Sequence, residues 1–106
     1  TAVAALERYA EAEALLVAVL PDAVGRVGEK SGYVARAWNE LGSVRQDLGR
    51  YADAADAYRR SIAITDASGD GAPNALLAQT INNLATLDEE RGDLAAAEAG
   101  YRRSLA

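Results

Sequence analysis

The sequence predicts an all-α fold, a right-handed α-α superhelix (solenoid) of about two and a half antiparallel helix pairs, and three observations lead there. The first is an internal repeat. Gly49, Ala54, Tyr58, Arg59, Arg60 and Ser61 return 43 residues later as Gly92, Ala97, Tyr101, Arg102, Arg103 and Ser104, and Tyr9 and Ala12 echo Tyr51 and Ala54 at a spacing of 42. A fixed period of this length points to stacked units and away from a closed globule. The second is helical spacing of apolar residues with no period-2 alternation. The third is punctuation by Gly and Pro at the places where such helices must end.

The elements follow in order. Residues 2–6 read as the stub of a truncated first helix, followed by a helix at 8–20. Glu7 stands where later copies carry Gly49 and Gly92, so the alternative is one continuous helix over 2–20. Pro21 either stops this helix near Leu20 or kinks it, with resumption to about Val27; the kink is favoured. Gly25, Gly28 and Gly32 mark the next connection. Val34, Trp38, Leu41, Val44 and Leu48 keep one face apolar over 33–47, and Gly49 provides a tight turn because glycine adopts positive φ without penalty. Tyr51, Ala54, Tyr58 and Ile62 make the stripe of a helix at 51–67. Ser68-Gly69-Asp70-Gly71-Ala72-Pro73 breaks the chain before a helix at 74–90, whose stripe is Leu77, Ile81, Leu84 and Leu87. Gly92 turns it into a last helix at 94–105, carried by Leu94, Ala97, Tyr101 and Leu105. Each repeat is thus a helix A and a helix B. The whole is one domain, with a partial repeat at 1–32 and repeats at 33–73 and 74–106. A start in mid-repeat suggests a piece of a longer array.

Composition bounds the chemistry. Of 106 residues 25 are Ala, and aromatics are only 6%, so the core must gain its energy from close helix approach more than from large side chains. The net charge of −5 disfavours phosphate binding, hence nucleic acid. The chain has no Cys and no His, which excludes thiolate and imidazole metal sites and Cys–His or Ser–His nucleophilic pairs. No apolar run reaches the ~20 residues of a membrane span. Abundant Ala with Arg in place of Lys suggests a GC-rich bacterial source.

Trp38-x-x-Leu41-Gly42 followed by Ala54-x-x-x-Tyr58, and Ile81-x-x-Leu84-Ala85 followed by Ala97-x-x-x-Tyr101, resemble the signature of the tetratricopeptide repeat. The first copy keeps Ala12-x-x-x-Leu16. The spacing implies that Gly42 and Ala85 on helices A face Ala54 and Ala97 on helices B, with the large residues filling the space around them. Arg45 and Asp88 replace the helix A aromatic, Ser61 and Ser104 replace the late Ala of helix B, and the terminal Pro is missing. The unit also exceeds the common 34 residues, which resembles the kinesin-light-chain-type variety with its longer connection.

The resemblance implies a ligand surface on the concave face, lined by helices A. Projected onto this sequence it selects Arg36, Asn39, Ser43 and Gln46 from one helix and Gln79, Asn82, Asn83, Thr86 and Glu89 from the next, with Asn39 beside Asn82. Amides there could pair with an extended peptide backbone whatever its side chains. Against this, Asn and Gln are also tolerated on any solvated face, although adjacent Asn residues in mid-helix carry a local cost.

Other constellations read as structure. Asp88-Glu89-Glu90 sits where the helix dipole disfavours acids; an acidic lip for basic ligands is the functional reading, a solvated end balanced by Arg91 the plainer one. Tyr58-Arg59-Arg60-Ser61 and its copy place Ser at a buried position and Arg on an outer face among Asp53, Asp56 and Glu98. Asp66 to Gly71 imitates a calcium loop without its closing Glu. Gly25 to Ser31 imitates a phosphate loop, but Glu29 interrupts the Gly-Lys pair. No carboxylate pair stands out as a dyad.

The expectation is therefore a non-catalytic module that binds a protein or peptide partner, with no cofactor, no metal, no nucleic acid and no membrane, in the cytoplasm. The alternative is a structural, self-associating or intramolecular regulatory segment of a larger bacterial multidomain protein. Leu94, Leu105 and the open start would then make homo-oligomer contacts, end to end or antiparallel. Helical-repeat RNA binding is a third reading, disfavoured by the lack of a basic inner face.

Overall fold

The structure, a computed structural model, describes residues 2–27, 32–67 and 75–105. They form five helices: α1 (Ala2–Val27), α2 (Gly32–Asp47), α3 (Tyr51–Ala67), α4 (Ala75–Glu90) and α5 (Leu94–Leu105). Among the described residues there is no strand. Consecutive helices pack on one another, and α2 also approaches α4, whereas the backbones of α1 and α3, and of α3 and α5, stay apart. The A helices α2 and α4 therefore lie on the more closely spaced side of an all-α solenoid. Its thinnest extent of 18 Å fits two rows of helices packed at the usual ~8–10 Å.

Helix α1 corrects the expected start. Residues 2–6 are not a separate stub: one helix runs from Ala2 through Glu7 and past Pro21 to Val27. With Glu in the glycine place, no residue there tolerates the left-handed turn that separates the later pairs. Pro21 is exposed, and its ring is accommodated without ending the helix. Gly25 accordingly lies inside α1 and Gly32 opens α2, while Gly28 and the breaker cluster at 68–73 lie outside the described residues.

The A-to-B turns form as the glycines predict. Gly49 and Gly92 have φ of +78° and +83°. At the first turn the Gly49 N–H donates to the Gln46 carbonyl and the Arg50 N–H to the Arg45 carbonyl; at the second, Gly92 donates to Glu89 and Asp93 to Asp88. These paired bonds satisfy the last carbonyls of helix A in a Schellman arrangement. Asp93 then caps α5, its Oδ1 accepting the Ala96 N–H at 3.1 Å, as an N-cap carboxylate should. Arg50 holds the same place before α3 and turns outward to Glu13 of α1 at 2.7 Å.

Two apolar clusters make the core. Leu20, Val34, Leu41 and Ala57 join α1, α2 and α3, with Leu16, Trp38 and Ile64 at their edge. Ala54, Ala55, Tyr58 and Leu87, with Leu84 beside them, join α3 to α4. Small residues bring the helices together. A Cβ on Gly42 would lie 2.6 Å from two ring carbons of Tyr58, and one on Gly100 would lie 2.9 Å from the Ala85 Cβ. Gly42 thus makes room for Tyr58, and Gly100 makes room for Ala85; Ala54 and Ala97 are buried as well. The buried serine also behaves as its position predicts: Ser61 is fully enclosed, 3.5 Å from Thr80 Oγ1.

Candidate functional site

The predicted ligand-binding residues occupy matched positions on α2 and α4. Arg36, Asn39, Ser43 and Gln46 correspond, 43 residues on, to Gln79, Asn82, Thr86 and Glu89. Because the A helices adjoin, these form two rows on the closely spaced side of the array. Their surroundings divide them into two groups.

One group is engaged within the protein. Asn39 is only 6% exposed, and its Oδ1 accepts a 3.0 Å bond from Asn83 Nδ2. The expected neighbour, Asn82, is instead exposed. The helical rotation of one residue decides between them: Asn83 faces back towards α2, and Asn82 faces outward. Gln46 Nε2 donates to Glu90 Oε1 at 3.1 Å, a second link from α2 to α4. The same Gln46 accepts from the Tyr58 hydroxyl at 2.8 Å. Its repeat counterpart Glu89 accepts from the Tyr101 hydroxyl at 2.9 Å, and Thr86 Oγ1 lies 3.1 Å from that hydroxyl. Each tyrosine of helix B is therefore tethered to its own helix A through the same two positions. Burial pushes the Tyr58 phenol up to about 12, a hydrogen bond from Ser43 opposes this, and the carboxylates of Asp47 and Glu90 add to it. It stays protonated and donating throughout the neutral range.

Arg36, Ser43, Gln79 and Asn82 form the second group and are exposed, Ser43 while also bonded to the Tyr58 hydroxyl. They mix one guanidinium, one hydroxyl and two amides, groups that can donate to and accept from a peptide backbone. The 43-residue period locates both groups but does not separate them. Only the stacking of α4 on α2 buries Asn39 while leaving its counterpart Asn82 open.

The charged neighbours are used mainly to hold helices together. Glu13 of α1 receives Arg45 at 3.4 Å and Arg50 at 2.7 Å. Arg60 pairs with Asp56 and Arg102 with Glu98 along their own helices, and Arg103 reaches Asp66 across the array. Arg60 also lies over the Trp38 ring, 4.9 Å from its centroid. Arg60, Arg102 and Arg103 of the outer Arg pairs are thus engaged with acids. Asp88 carries a carboxyl raised above the usual range by burial and by Asp93, with Arg59 and Arg91 holding it down. Within the calcium-like segment only Asp66 and Ala67 are described, and Asp66 is paired with Arg103. Of the phosphate-loop imitation, residues 28–31 lie outside the described residues.

A row of helix pairs with polar side chains along adjoining A helices is a helical-repeat protein of the kind that presents a surface to other proteins. Compared with known families, residues 1–67 and again residues 33–106 match the tetratricopeptide repeat, and the chain belongs to that family. Such repeats generally mediate protein–protein interaction. No curated protein matches the chain. Among the described residues no helix is long and apolar enough to cross a membrane.

Proposed function

We propose that this chain is a non-catalytic interaction module that binds an extended peptide on the concave side formed by α2 and α4, with the longer unit of the kinesin-light-chain variety. The observation that supports it is the exposed polar row, Arg36 and Ser43 on α2 with Gln79 and Asn82 on α4. Asn39, Asn83 and Gln46 support this row by joining the two helices. They set the spacing between the rows and are poor targets for a test of binding, since removing them loosens the array.

The test uses the exposed amides. Peptides selected from a random extended-peptide library against the chain are measured for affinity against a Gln79→Ala/Asn82→Ala variant. The expected outcome is at least a tenfold loss, about 1.4 kcal/mol, with an unchanged thermal melt. Selected peptides that bind the variant as tightly as the native chain would remove the inner-face assignment.

A further inference from the structure

Among the described residues, five of the eight exposed large hydrophobics, Leu6, Tyr9, Leu15, Val17 and Val19, lie on the single helix α1. The repeat explains two of them. At the spacing of 42 that aligns Tyr9 with Tyr51, Leu15 corresponds to Ala57 and Val19 to Ser61. Ala57 and Ser61 on α3 are fully buried, whereas Leu15 and Val19 are 67% and 50% exposed. Ala57 is covered by Val34 and Leu41 of α2, the helix A of its own pair. Among the described residues no helix lies on α1 in that place. What remains is a pair of adjoining clefts sharing Leu16 and Glu40. The larger, of about 670 Å³, is bounded by Val19, Ala37 and Leu76, with Arg36 as well as Glu40 in its lining; the smaller, by Ala12, Leu15 and Val44, with Ser43 in its lining. Together they follow α1 over residues 12–19, about 12 Å at 1.5 Å per residue, roughly two turns of a helix laid alongside.

The protein's own interior shows what fits there. Helix α2 sits on α3 and α4 at the equivalent place, with Gly42 against Tyr58, Asn39 bonded to Asn83, and Gln46 bonded to Glu90. On the open side Leu16 stands for Tyr58, Glu40 for Asn83 and Asp47 for Glu90. An occupant seated in this way lays the position equivalent to Gly42 over Leu16. It must also carry hydrogen-bond donors at two positions seven residues apart, and a cation at the first is better than an amide, because Glu40 brings a carboxylate where Asn83 brings an amide. The opposite end of the array differs. There Glu98 stands where Ala55 is buried on α3, and its side chain is 63% exposed.

We propose that the cleft between α1 and α2 is a second binding site that takes an amphipathic helix from a partner protein with a cation placed against Glu40, seated as α2 is seated on α3 and α4. It goes beyond the extended-peptide reading; Arg36 and Ser43 of the inner polar row also line the clefts, so it is tested on residues of α1 that the row does not use.

The probe is a fluorescein-labelled peptide of residues 33–48 of this chain carrying Asn39→Arg, followed by fluorescence anisotropy against the full chain. Saturable binding is expected, weakened at least tenfold by Leu15→Asp/Val19→Asp. Both positions are exposed, and circular dichroism checks that the variant stays folded. A Glu40→Arg chain should reverse the preference, binding an Asn39→Glu peptide better than the Asn39→Arg one. Absence of saturable binding, or equal binding by native and Leu15→Asp/Val19→Asp chains, overturns the proposal. Sedimentation equilibrium supplies the remaining arm: a native dimer that Leu15→Asp/Val19→Asp dissociates would assign the cleft to a second copy and also overturn it. Loss of binding in the Gln79→Ala/Asn82→Ala chain is not expected here, so the two sites fail separately.

Discussion

A methyl group added to Gly42 would enter the ring of Tyr58, and one added to Gly100 would meet Ala85. The repeat relates these positions. Gly42 corresponds to Ala85 and Ala57 to Gly100, so each helix pair has one glycine and one alanine, exchanged between A and B. This exchange makes a sharp prediction. Gly100→Ala gains helix propensity of about 1 kcal/mol but places two Cβ atoms 2.9 Å apart, and such overpacking costs about 1–3 kcal/mol. The single change should therefore lower stability. In an Ala85→Gly background, which recreates the arrangement of the preceding pair, the same change should raise stability by about 0.5–1 kcal/mol. Urea titrations of the four proteins in the cycle decide it, and an effect of the same sign in both backgrounds would show that the two residues do not compete for space. The sequence makes the smallness of these positions visible but not their partners. Which neighbour comes nearest to each small residue depends on the rotation of each helix about its axis. The same sensitivity moves the partner of Asn39 from Asn82 to Asn83.

At the scale of whole elements, glycine placement decides where a helix turns and where it continues. Gly49 and Gly92 both adopt positive φ, and a Cβ at either would meet no atom within 4 Å, so sterics raise no further objection. Replacing Gly49 by Ala should therefore cost only the backbone strain of a left-handed residue, about 1–2 kcal/mol, and Gly49→Asn should cost less because Asn tolerates this conformation. Thermal melts that rank native above Asn above Ala would support this, whereas equal losses would point to a side-chain clash instead. Where the glycine is absent, at Glu7, the chain does not turn and α1 is one helix from Ala2 to Val27. The turns from α2 to α3 and from α4 to α5 were legible because each is set by local residues, a turn glycine and, before α5, the capping Asp93. The start was less so: the cost of Pro21 within a helix is local, but its acceptance depends on how the rest of α1 packs against α2.

At the scale of the molecule, the array behaves as a row of neighbours in which each helix is supported by those beside it. Helices α2, α3 and α4 each have a packing partner on both sides, while α1 packs only on α2 and α5 only on α4. The buried apolar residues follow the same gradient. Among the described residues α1 contributes Leu20 and α5 contributes Ala97, whereas α2, α3 and α4 supply the rest of the core. In a repeat array stability is close to a sum of unit and interface terms, so local opening should be easiest where a helix has one interface. Native-state amide exchange should show the highest protection in α2, α3 and α4, with α5 lower and the first turns of α1 lowest. The polar links α2–α4, through Asn39–Asn83 and Gln46–Glu90, should couple the central helices so that they open together. Uniform protection across all five helices would instead mean that the array unfolds as one cooperative block. The gradient also bears on binding. A helix seated in the cleft on α1 would give that helix its second interface, so saturating the peptide of residues 33–48 carrying Asn39→Arg should raise protection in α1 more than in α5. A peptide on the exposed row of α2 and α4 should leave α1 near its unbound level.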